Sequence, residues 1–347
     1  MIDTLRLYIS APGSPPGPEW NVKYLRDGFR LYHRNTPHVR LCLRHRTNRS
    51  GYELVASMTV GKAVGRGHNL RRLNYPEMVE WLRQAEAEIR EACPNLRLVP
   101  LTAWQWRRGD FPVDFFVENP DDYVRVVGRN YPKAMGKRRW WPSSAAWLLE
   151  EGKRPSAHGL TFMFKSRNNP RQHPFLDIAY NKAAETEKKR RGCTPEEWAE
   201  IEKRIYKRDE ETSRVLRLFR FEHSVRREQA KKILGVKQPA LGHMLSFLRG
   251  GGSPGADRWR KVTDEWSDLD EAGAKAALDA QVEAGSLTGR KAGYRLALWE
   301  IVHRQGAEAY VRGNGIAQKE WNRQQKRLKA AGLGVGDYEG LPRLDAP

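Results

Sequence analysis

Acidic and basic side chains alternate with apolar ones in the segment Arg108-Gly109-Asp110-Phe111-Pro112-Val113-Asp114. In a β-strand, spacings of two and four put Arg108, Asp110 and Asp114 on the same face. Carboxylate oxygens are the ligands that hard divalent cations prefer, so the pattern is compatible with a metal site. From spacing alone, an exposed sheet face with an Arg–Asp pair is the simpler interpretation.

A second segment, Arg220-Phe221-Glu222-His223, repeats this alternation of basic and acidic residues. An arginine–carboxylate pair across two strands explains it without any catalytic role. If the two strands lie side by side, however, Asp110 and Glu222 are placed to share a divalent metal ion.

Tyr180 lies in a third alternating segment, residues 176–182, which puts Tyr180 and Lys182 on one face of a strand. Tyrosines on strands mostly belong to the core or to an interface. The functional alternative is a nucleophile, whose pKa Lys182 lowers or whose phosphate substrate Lys182 holds.

His68 lies in the glycine-rich segment Gly65-Arg66-Gly67-His68-Asn69. Glycines let the backbone approach a ligand closely, and a neutral histidine can bind a divalent metal. Short loops of this composition are common, so the signal is weak by itself. The chain has no Walker loop, zinc-finger spacing, His-x-His pair or Ser/His/Asp motif, which disfavours those classes.

The whole chain is strongly basic. Its 347 residues include 62 lysines and arginines against 42 acids, which gives a net charge of +20 and a pI of about 10.0. Nucleic acid is the leading partner for such a charge, because basic residues that neutralise phosphates release condensed counterions. An anionic membrane surface comes second, and a basic protein without a polyanionic partner is the third possibility.

Other features fit a protein of the reducing cytoplasm. No apolar run approaches the roughly 18 residues of a membrane span, and the first residues lack a signal-peptide core. Three widely spaced cysteines, Cys42, Cys93 and Cys193, cannot form a disulfide framework or a four-thiolate metal site. We therefore expect a cytoplasmic protein with no membrane partner.

Spacing patterns also predict the elements that carry these residues. Residues 76–93 form a helix, because apolar residues recur at intervals of three and four. Asn119-Pro120-Asp121-Asp122 begins a second helix. The strand 104–117 has Trp106 on the same face as Asp110. The other predicted elements are strands 4–9, 160–165, 175–182 and 215–225, a helix that begins after Thr194, and a helix over 226–234.

Composition divides the chain in two. Residues 250–256, rich in glycine with Ser253 and Pro254, form a predicted linker. Residues 1–249 are predicted to be an α+β domain built on a largely antiparallel sheet. Residues 257–347 are predicted to be a smaller all-α domain with helices near 270–284, 294–304 and 317–331.

In collinear order, short motifs across most of the chain resemble the gene II/gene X family of filamentous-phage replication initiators. A Gly-His-Asn motif at 67–69, an Arg-x-Asp strand at 108–110 and an Arg-Phe-Glu strand at 220–222 are similar to motifs of that family. The segment Ala179-Tyr180-x-Lys182-x-x-Glu185 is similar to the one that carries its nicking tyrosine. The broader pattern Arg-x-Asp-x-x-x-Asp is similar to plasmid rolling-circle initiators. The remaining matches are the start at 1–5, Asn119-Pro120, Gly289-Arg290-Lys291-x-x-Tyr294 and Trp321.

The resemblance implies an HUH-like nuclease domain that nicks one strand of a replication origin and rejoins it. Tyr180 would form a 5′-phosphotyrosine, with Lys182 in support and Tyr206 as the alternative nucleophile. Mg²⁺ or Mn²⁺ would be held by Asp110, Glu222 and His68. Host polymerase would then extend the free 3′ end in rolling-circle replication, with a host helicase as a further partner. A non-catalytic origin or operator binder, and a relaxase or transposase, stay open as alternatives.

Further DNA contacts are expected outside this centre. Arg108 and Arg220 would contact phosphate. Trp140 and Trp141, beside a basic run, are placed to stack on unpaired bases, although a role in the core or on the surface is as good an interpretation. The helix 317–331 enters a major groove or only coats the phosphate backbone. The basic residues that carry these two expectations are Lys137, Arg138, Arg139, Arg323, Lys326 and Arg327.

Overall fold

The structure, a computed structural model, combines one large antiparallel sheet with helices, so the α+β class is confirmed. It describes residues 2–12, 19–24, 30–45, 52–59, 73–134, 140–142, 161–166, 175–188, 190–263, 271–305, 310–311, 313–333 and 344. Across these ranges no helix combines the length and apolarity that crossing a membrane requires.

Eleven described strands form the sheet, and every paired neighbour runs antiparallel. The strands are β1 (Thr4–Ala11), β2 (Asn21–Tyr24), β3 (Arg30–Asn35), β4 (Val39–His45), β5 (Tyr52–Thr59), β6 (Gln105–Val117), β7 (Trp140–Pro142), β8 (Thr161–Ser166), β9 (Phe175–Asn181), β10 (Tyr206–Arg208) and β11 (Val215–Arg226).

The described helices are α1 (Tyr75–Ala92), α2 (Pro120–Ala134), α3 (Lys182–Glu187), α4 (Pro195–Ile205), α5 (Arg227–Leu234), α6 (Leu241–Arg249), α7 (Pro254–Val262), α8 (Glu271–Glu283), α9 (Gly289–Gln305) and α10 (Gln318–Lys329). Two short 3₁₀ turns occupy Leu101–Ala103 and Arg190–Gly192. The strands and helices predicted from sequence patterns are all present among them, with ends shifted by a few residues.

Strand order places the chemistry-bearing strands in the centre of the sheet. The order is β2-β3-β4-β5-β1-β6-β11-β9-β8-β7, with β10 beside the first part of β11. The three strands that carry the candidate residues, β6, β11 and β9, are therefore direct neighbours. Each has a partner on both edges, which fixes the register of its side chains.

Helix α1 shows how the sequence builds the layer on one face of the sheet. Asn74 and Glu77 form a capping box at its start, which satisfies free backbone N–H groups. Met78, Leu82 and Ile89 then recur on one stripe and are buried in the core with the apolar residues of β1, β4 and β5. A second core joins β6 and β11 to α2 and α7.

A β-bulge in β6 corrects one prediction about this strand. Arg6 pairs with Arg108 but the next residue, Leu7, pairs with Trp106, so one extra residue is inserted on β6. Trp106 consequently faces the core rather than the polar face of Asp110, and its ring lies 6.1 Å from that of Phe111. The expectation that Trp106 shares a face with Asp110 is wrong because alternation restarts at the bulge.

The predicted linker at 250–256 lies before the point where the chain leaves the core of the sheet. Helix α7 begins inside that segment and packs against β6 and β11. Trp259 is fully buried among the aromatic residues of the sheet, and Arg258 forms an ion pair with Asp177 of β9 at 2.7 Å. Helix α7 is thus part of the second core, together with β6 and β11, and the predicted domain start at 257 cuts through this helix.

Helices α8, α9 and α10 have a separate apolar core. Trp299 of α9 and Trp321 of α10 are buried in it, and Trp321 lies 5.8 Å from the ring of Tyr310. The predicted all-α character of this region holds for its described residues.

Candidate active site

Polar side chains meet on the face of the sheet opposite α1, α2 and α7. Arg220 on β11 is directly opposite Asp114 of β6 on one side and Tyr180 of β9 on the other. Two residues along β11 lies Glu222, and two further lies Ser224, which is opposite Asp110. The condition set from the sequence is met, because β6 and β11 lie side by side.

The hydroxyl of Tyr180 donates a hydrogen bond to Oε1 of Glu222 over 2.6 Å. Only 9% of Tyr180 is exposed. Burial, and then the charge of Glu222, raise the pKa of this phenol well above its ordinary value, although Arg220 opposes the shift. Tyr180 is therefore a neutral hydrogen-bond donor here. The expected lowering of its pKa by Lys182 does not occur in these surroundings.

Glu222 is held in an environment that disfavours its charge. Burial raises the pKa of Glu222 to about 7, despite the opposing guanidinium of Arg220. Nearby Asp3 and Asp110 add to the rise through like-charge repulsion. A carboxyl with this pKa exchanges protons near neutral pH, which is the property of a general acid or base.

Arg220 is fixed by a bidentate ion pair. Its Nε and Nη2 donate to the two carboxylate oxygens of Asp114 at 2.6 and 2.8 Å, and only 1% of its side chain is exposed. The direct DNA contact predicted for Arg220 does not fit this burial. Its guanidinium instead supplies a fixed positive charge 3.9 Å from Oε1 of Glu222.

Asp110 is anchored through one oxygen. Nε of Arg108 donates to Oδ1 of Asp110 over 2.8 Å, and the hydroxyl of Ser224 donates to the same oxygen. Arg108 also donates to Ser224 over 3.1 Å and keeps 31% of its side chain exposed. Arg108 is thus positioned beside Asp110 while still open to a phosphate.

The carboxylate oxygens of Asp110 and Glu222 are of the type that binds a hard divalent cation. In the part of the chain that the structure describes, the hydrogen bonds to Asp110 and Glu222 use one oxygen of each, Oδ1 and Oε1. The other oxygen of each carboxylate is left for a ligand, and oxygen is what Mg²⁺ and Mn²⁺ prefer. Over the same residues, no three His, Cys, Asp or Glu side chains are grouped as a metal site. The predicted third ligand, His68, lies outside the described residues.

Lys182 lies at a different place from the one its spacing predicts. Strand β9 ends at Asn181, which caps α3 by accepting from the backbone N–H of Ala184, so Lys182 begins a helix. Its Nζ donates to Glu185 over 2.6 Å and lies 5.6 Å from the ring centre of Tyr180. Burial, and then Arg220, lower the pKa of Lys182. Lys182 therefore supports the tyrosine ring from α3.

The predicted DNA-contacting residues are only partly described. Lys137, Arg138 and Arg139 lie outside the described residues, and Trp140-Trp141 form the start of β7 with no described side chains. On α10 the buried residues Trp321, Gln324 and Leu328 face the core. Arg323, Lys326 and Arg327 are exposed on the opposite side of α10.

Tyr206, the alternative nucleophile, begins β10 and pairs with Arg217. It packs against the apolar cluster of Trp198 and Leu218 rather than against Glu222.

One residue near the site was not predicted. Asp3 is buried, and its backbone N–H donates to the carbonyl of Asp110 over 2.8 Å. Its charge contributes to the raised pKa of Glu222. The only sequence signal was an acid directly before β1, which is too common to single out.

Comparisons with known proteins do not assign this site. No family model matches the chain, and no curated protein matches it. Among solved structures, a similar chain is the di-domain ARO/CYC protein StfQ from the steffimycin biosynthetic pathway, which is 11% identical. The match covers 70% of this chain and 82% of that chain with a TM-score of 0.18. A likeness at this score is too weak to support any conclusion about fold or function.

Proposed function

We propose that the protein is a DNA-nicking and DNA-joining endonuclease that uses Tyr180 as nucleophile to start rolling-circle replication. One observation carries the proposal. The hydroxyl of Tyr180 is hydrogen-bonded to the carboxyl of Glu222, whose pKa is about 7, beside the buried Arg220 and its partner carboxylate. The net charge of +20 and the resemblance to phage replication initiators point to DNA as the substrate.

In the proposed reaction, Oη of Tyr180 attacks the phosphorus of a DNA phosphodiester, and its proton passes to Glu222. The P–O bond to the 3′ oxygen breaks, and that oxygen takes a proton from water to become a free 3′-OH. The product is a 5′-phosphotyrosine, whose attack by a 3′-OH rejoins the strand without ATP. Because the pKa of the phenol is raised, proton transfer to Glu222 accompanies attack rather than preceding it.

The other residues of the site have supporting roles. Arg108, partly exposed beside Asp110, would contact a non-bridging phosphate oxygen. Arg220 and Asp114 would hold Glu222 in place. Asp110 and Glu222, with His68, would hold Mg²⁺ or Mn²⁺, which stabilises negative charge on the reacting phosphate. Lys182 would keep the Tyr180 ring oriented from the start of α3.

The wider function follows from the same proposal. The exposed basic side of α10 would add phosphate contacts to the origin duplex. Host polymerase and helicase would act on the free 3′ end in the cytoplasm of a bacterial host. A relaxase or transposase would use the same chemistry in another DNA context.

A second candidate is a non-catalytic DNA-binding protein. The burial of Tyr180 and Arg220 favours it, because only 9% of Tyr180 and 1% of Arg220 are exposed to solvent.

An assay that does not require the target DNA sequence to be known separates the two candidates. The full chain is incubated with Mg²⁺ or Mn²⁺ and single-stranded oligonucleotides that have a randomised centre, and complexes that survive SDS are recovered and sequenced. A nicking enzyme yields covalent complexes enriched in one sequence. Tyr180→Phe and Asp110→Asn should abolish them, whereas Tyr206→Phe, the matched control, should retain them. Bound but never covalently attached DNA in the wild type would establish the non-catalytic candidate.

A further inference from the structure

Arginines form a row across the polar face of the sheet, on the β1 side of the candidate active site. Arg6 of β1 is directly opposite Arg108 of β6, and Arg108 is directly opposite Arg226 of β11. On the other side of Arg6, Ser57 of β5 pairs with both Arg6 and Arg40 of β4. The row thus places four arginines on five adjacent strands.

The register gives the row its length. Neighbouring strands lie about 4.8 Å apart, so the four intervals from β4 to β11 span about 19 Å. Along β11, the four residues from Arg226 to Glu222 span about 14 Å. The row therefore runs across the strands and ends at Arg226, about 14 Å along β11 from Glu222, the hydrogen-bond partner of Tyr180.

Like charges on directly opposite strand positions destabilise a sheet. Burial, and then the neighbouring Arg107 and Arg108, lower the pKa of Arg6. Burial, and then Arg108, lower the pKa of Arg226. The register places these arginines side by side, and they contribute to the shifts after burial, so a bound polyanion would relieve repulsion that the folded protein otherwise retains.

Three of the four arginines of this row differ in their partners from Arg108, which pairs with Asp110, and from other ion-paired arginines of the chain. Arg34 and Arg90 form ion pairs with carboxylates at 3.0 and 2.7 Å. Over the described residues, Arg6, Arg40 and Arg226 form no ion pair; Arg6 instead donates to the hydroxyl of Ser57 over 3.0 Å. Their charges stay available to a ligand.

A pocket of about 630 Å³ opens at the β4 end of the row. Arg6, Arg40 and Ser57 line it together with other polar residues, such as Thr4 and Asn35, and with apolar ones, such as Val39. This volume is in the range of small-molecule sites. Its hydrogen-bonding groups suit the edge of a nucleobase, and its arginines suit the attached phosphate.

We propose that Arg40, Arg6 and Arg226 form a binding track for single-stranded DNA, which leads from the pocket to Tyr180. A single strand fits better than a duplex, because an unpaired base enters the pocket without the cost of breaking a base pair. This inference depends on the proposed function in one respect: the track leads to Tyr180 because Tyr180 would act on the DNA strand that the track holds. The binding itself requires no catalysis.

Binding is tested in full-length Tyr180→Phe protein, so that no cleavage occurs. The probe is a fluorescein-labelled single-stranded 20-mer, and fluorescence anisotropy gives affinity at several salt concentrations. Each phosphate contact contributes about −0.7 to the slope of log K against log salt for single strands. Replacing Arg6, Arg40 and Arg226 by alanine should therefore make the slope shallower by about 2.

A matched control removes the same charge elsewhere. Arg83, Lys203 and Arg260 are exposed on α1, α4 and α7, with side-chain exposures of 74%, 72% and 62%. Their triple alanine variant should leave the slope nearly unchanged. Arg40→Ala alone should reduce the slope by about 0.7. Because Arg40 is exposed, this substitution should leave folding intact.

The proposal fails if both triple variants change the slope equally, or if the track variant loses only duplex binding. It also fails if that variant loses binding to anionic phosphatidylglycerol vesicles while keeping the 20-mer. Failure of the proposed function is a separate result, because it would appear as absent covalent complexes in wild-type protein while the 20-mer binding of Tyr180→Phe protein persisted.

Discussion

Glu222 should make the metal-free protein less stable as pH rises through neutrality. In the folded chain the pKa of Glu222 is raised from 4.5 to about 7, because its carboxyl is buried beside Asp3 and Asp110. Between these two values the folded state binds more protons than the unfolded state. The free energy of unfolding therefore falls as pH rises across this window. Outside the window, Glu222 adds no pH dependence to the free energy of unfolding.

The size of the effect follows from the two pKa values. One unit of pKa is worth about 1.4 kcal/mol, so moving the Glu222 pKa from 4.5 to about 7 costs about 3 kcal/mol of stability at about pH 8 relative to about pH 4. Glu222→Gln removes the titration and keeps an oxygen that accepts from Tyr180. The difference in unfolding free energy between variant and wild type should therefore grow by about 3 kcal/mol over that range.

Urea unfolding followed by tryptophan fluorescence, in buffers with EDTA, measures this difference at each pH. Glu80→Gln on α1 is a matched control, because the Glu80 side chain is 58% exposed. Its difference from wild type should not vary with pH in the same way. A constant difference for Glu222→Gln from about pH 4 to about pH 8 would refute the raised pKa. Added Mn²⁺ should restore stability at high pH, since a bound cation favours the carboxylate.

Three further outcomes are expected. Asp177→Asn should lower the free energy of unfolding by about 3–5 kcal/mol in urea unfolding, because it removes the buried negative charge that forms the ion pair with Arg258; the exposed Asp257→Asn should change it little. A chain of residues 1–263 should give a cooperative melt by circular dichroism, whereas 1–249, which lacks α7, should not. Alanine at Arg323, Lys326 and Arg327 of α10 should make the salt slope of duplex binding shallower by about 2.7, at about 0.9 per phosphate contact.

Local patterns predicted most of the elements because each one is specified by nearby residues. The capping box that begins with Thr194, and the glycine that ends α5 with φ +66°, are such cases. Alternation also predicted that Asp110 and Asp114 share a face, since the strand is regular beyond Arg108. It failed for Trp106, because a bulge depends on the partner strand and not on the strand's own residues.

The arrangement of the site required tertiary information. The sequence could not show that Arg220 would form an ion pair with Asp114, or that Asp3 would lie close enough to shift the pKa of Glu222. It also misplaced the boundary at 250–256, because three glycines are as compatible with a tight turn before a helix as with a flexible linker. Packing of Trp259 decides between the two.

Mass spectrometry of a covalent complex tests the central claim most directly. Full-length protein is reacted with single-stranded DNA and Mn²⁺, the DNA is digested by nuclease, and the peptides are sequenced. We predict a nucleotide phosphate on the Tyr180 hydroxyl, and none after Tyr180→Phe. An adduct on Tyr206 or another residue, or no adduct under conditions where the wild-type protein binds DNA, would contradict the assignment of Tyr180 as the nucleophile.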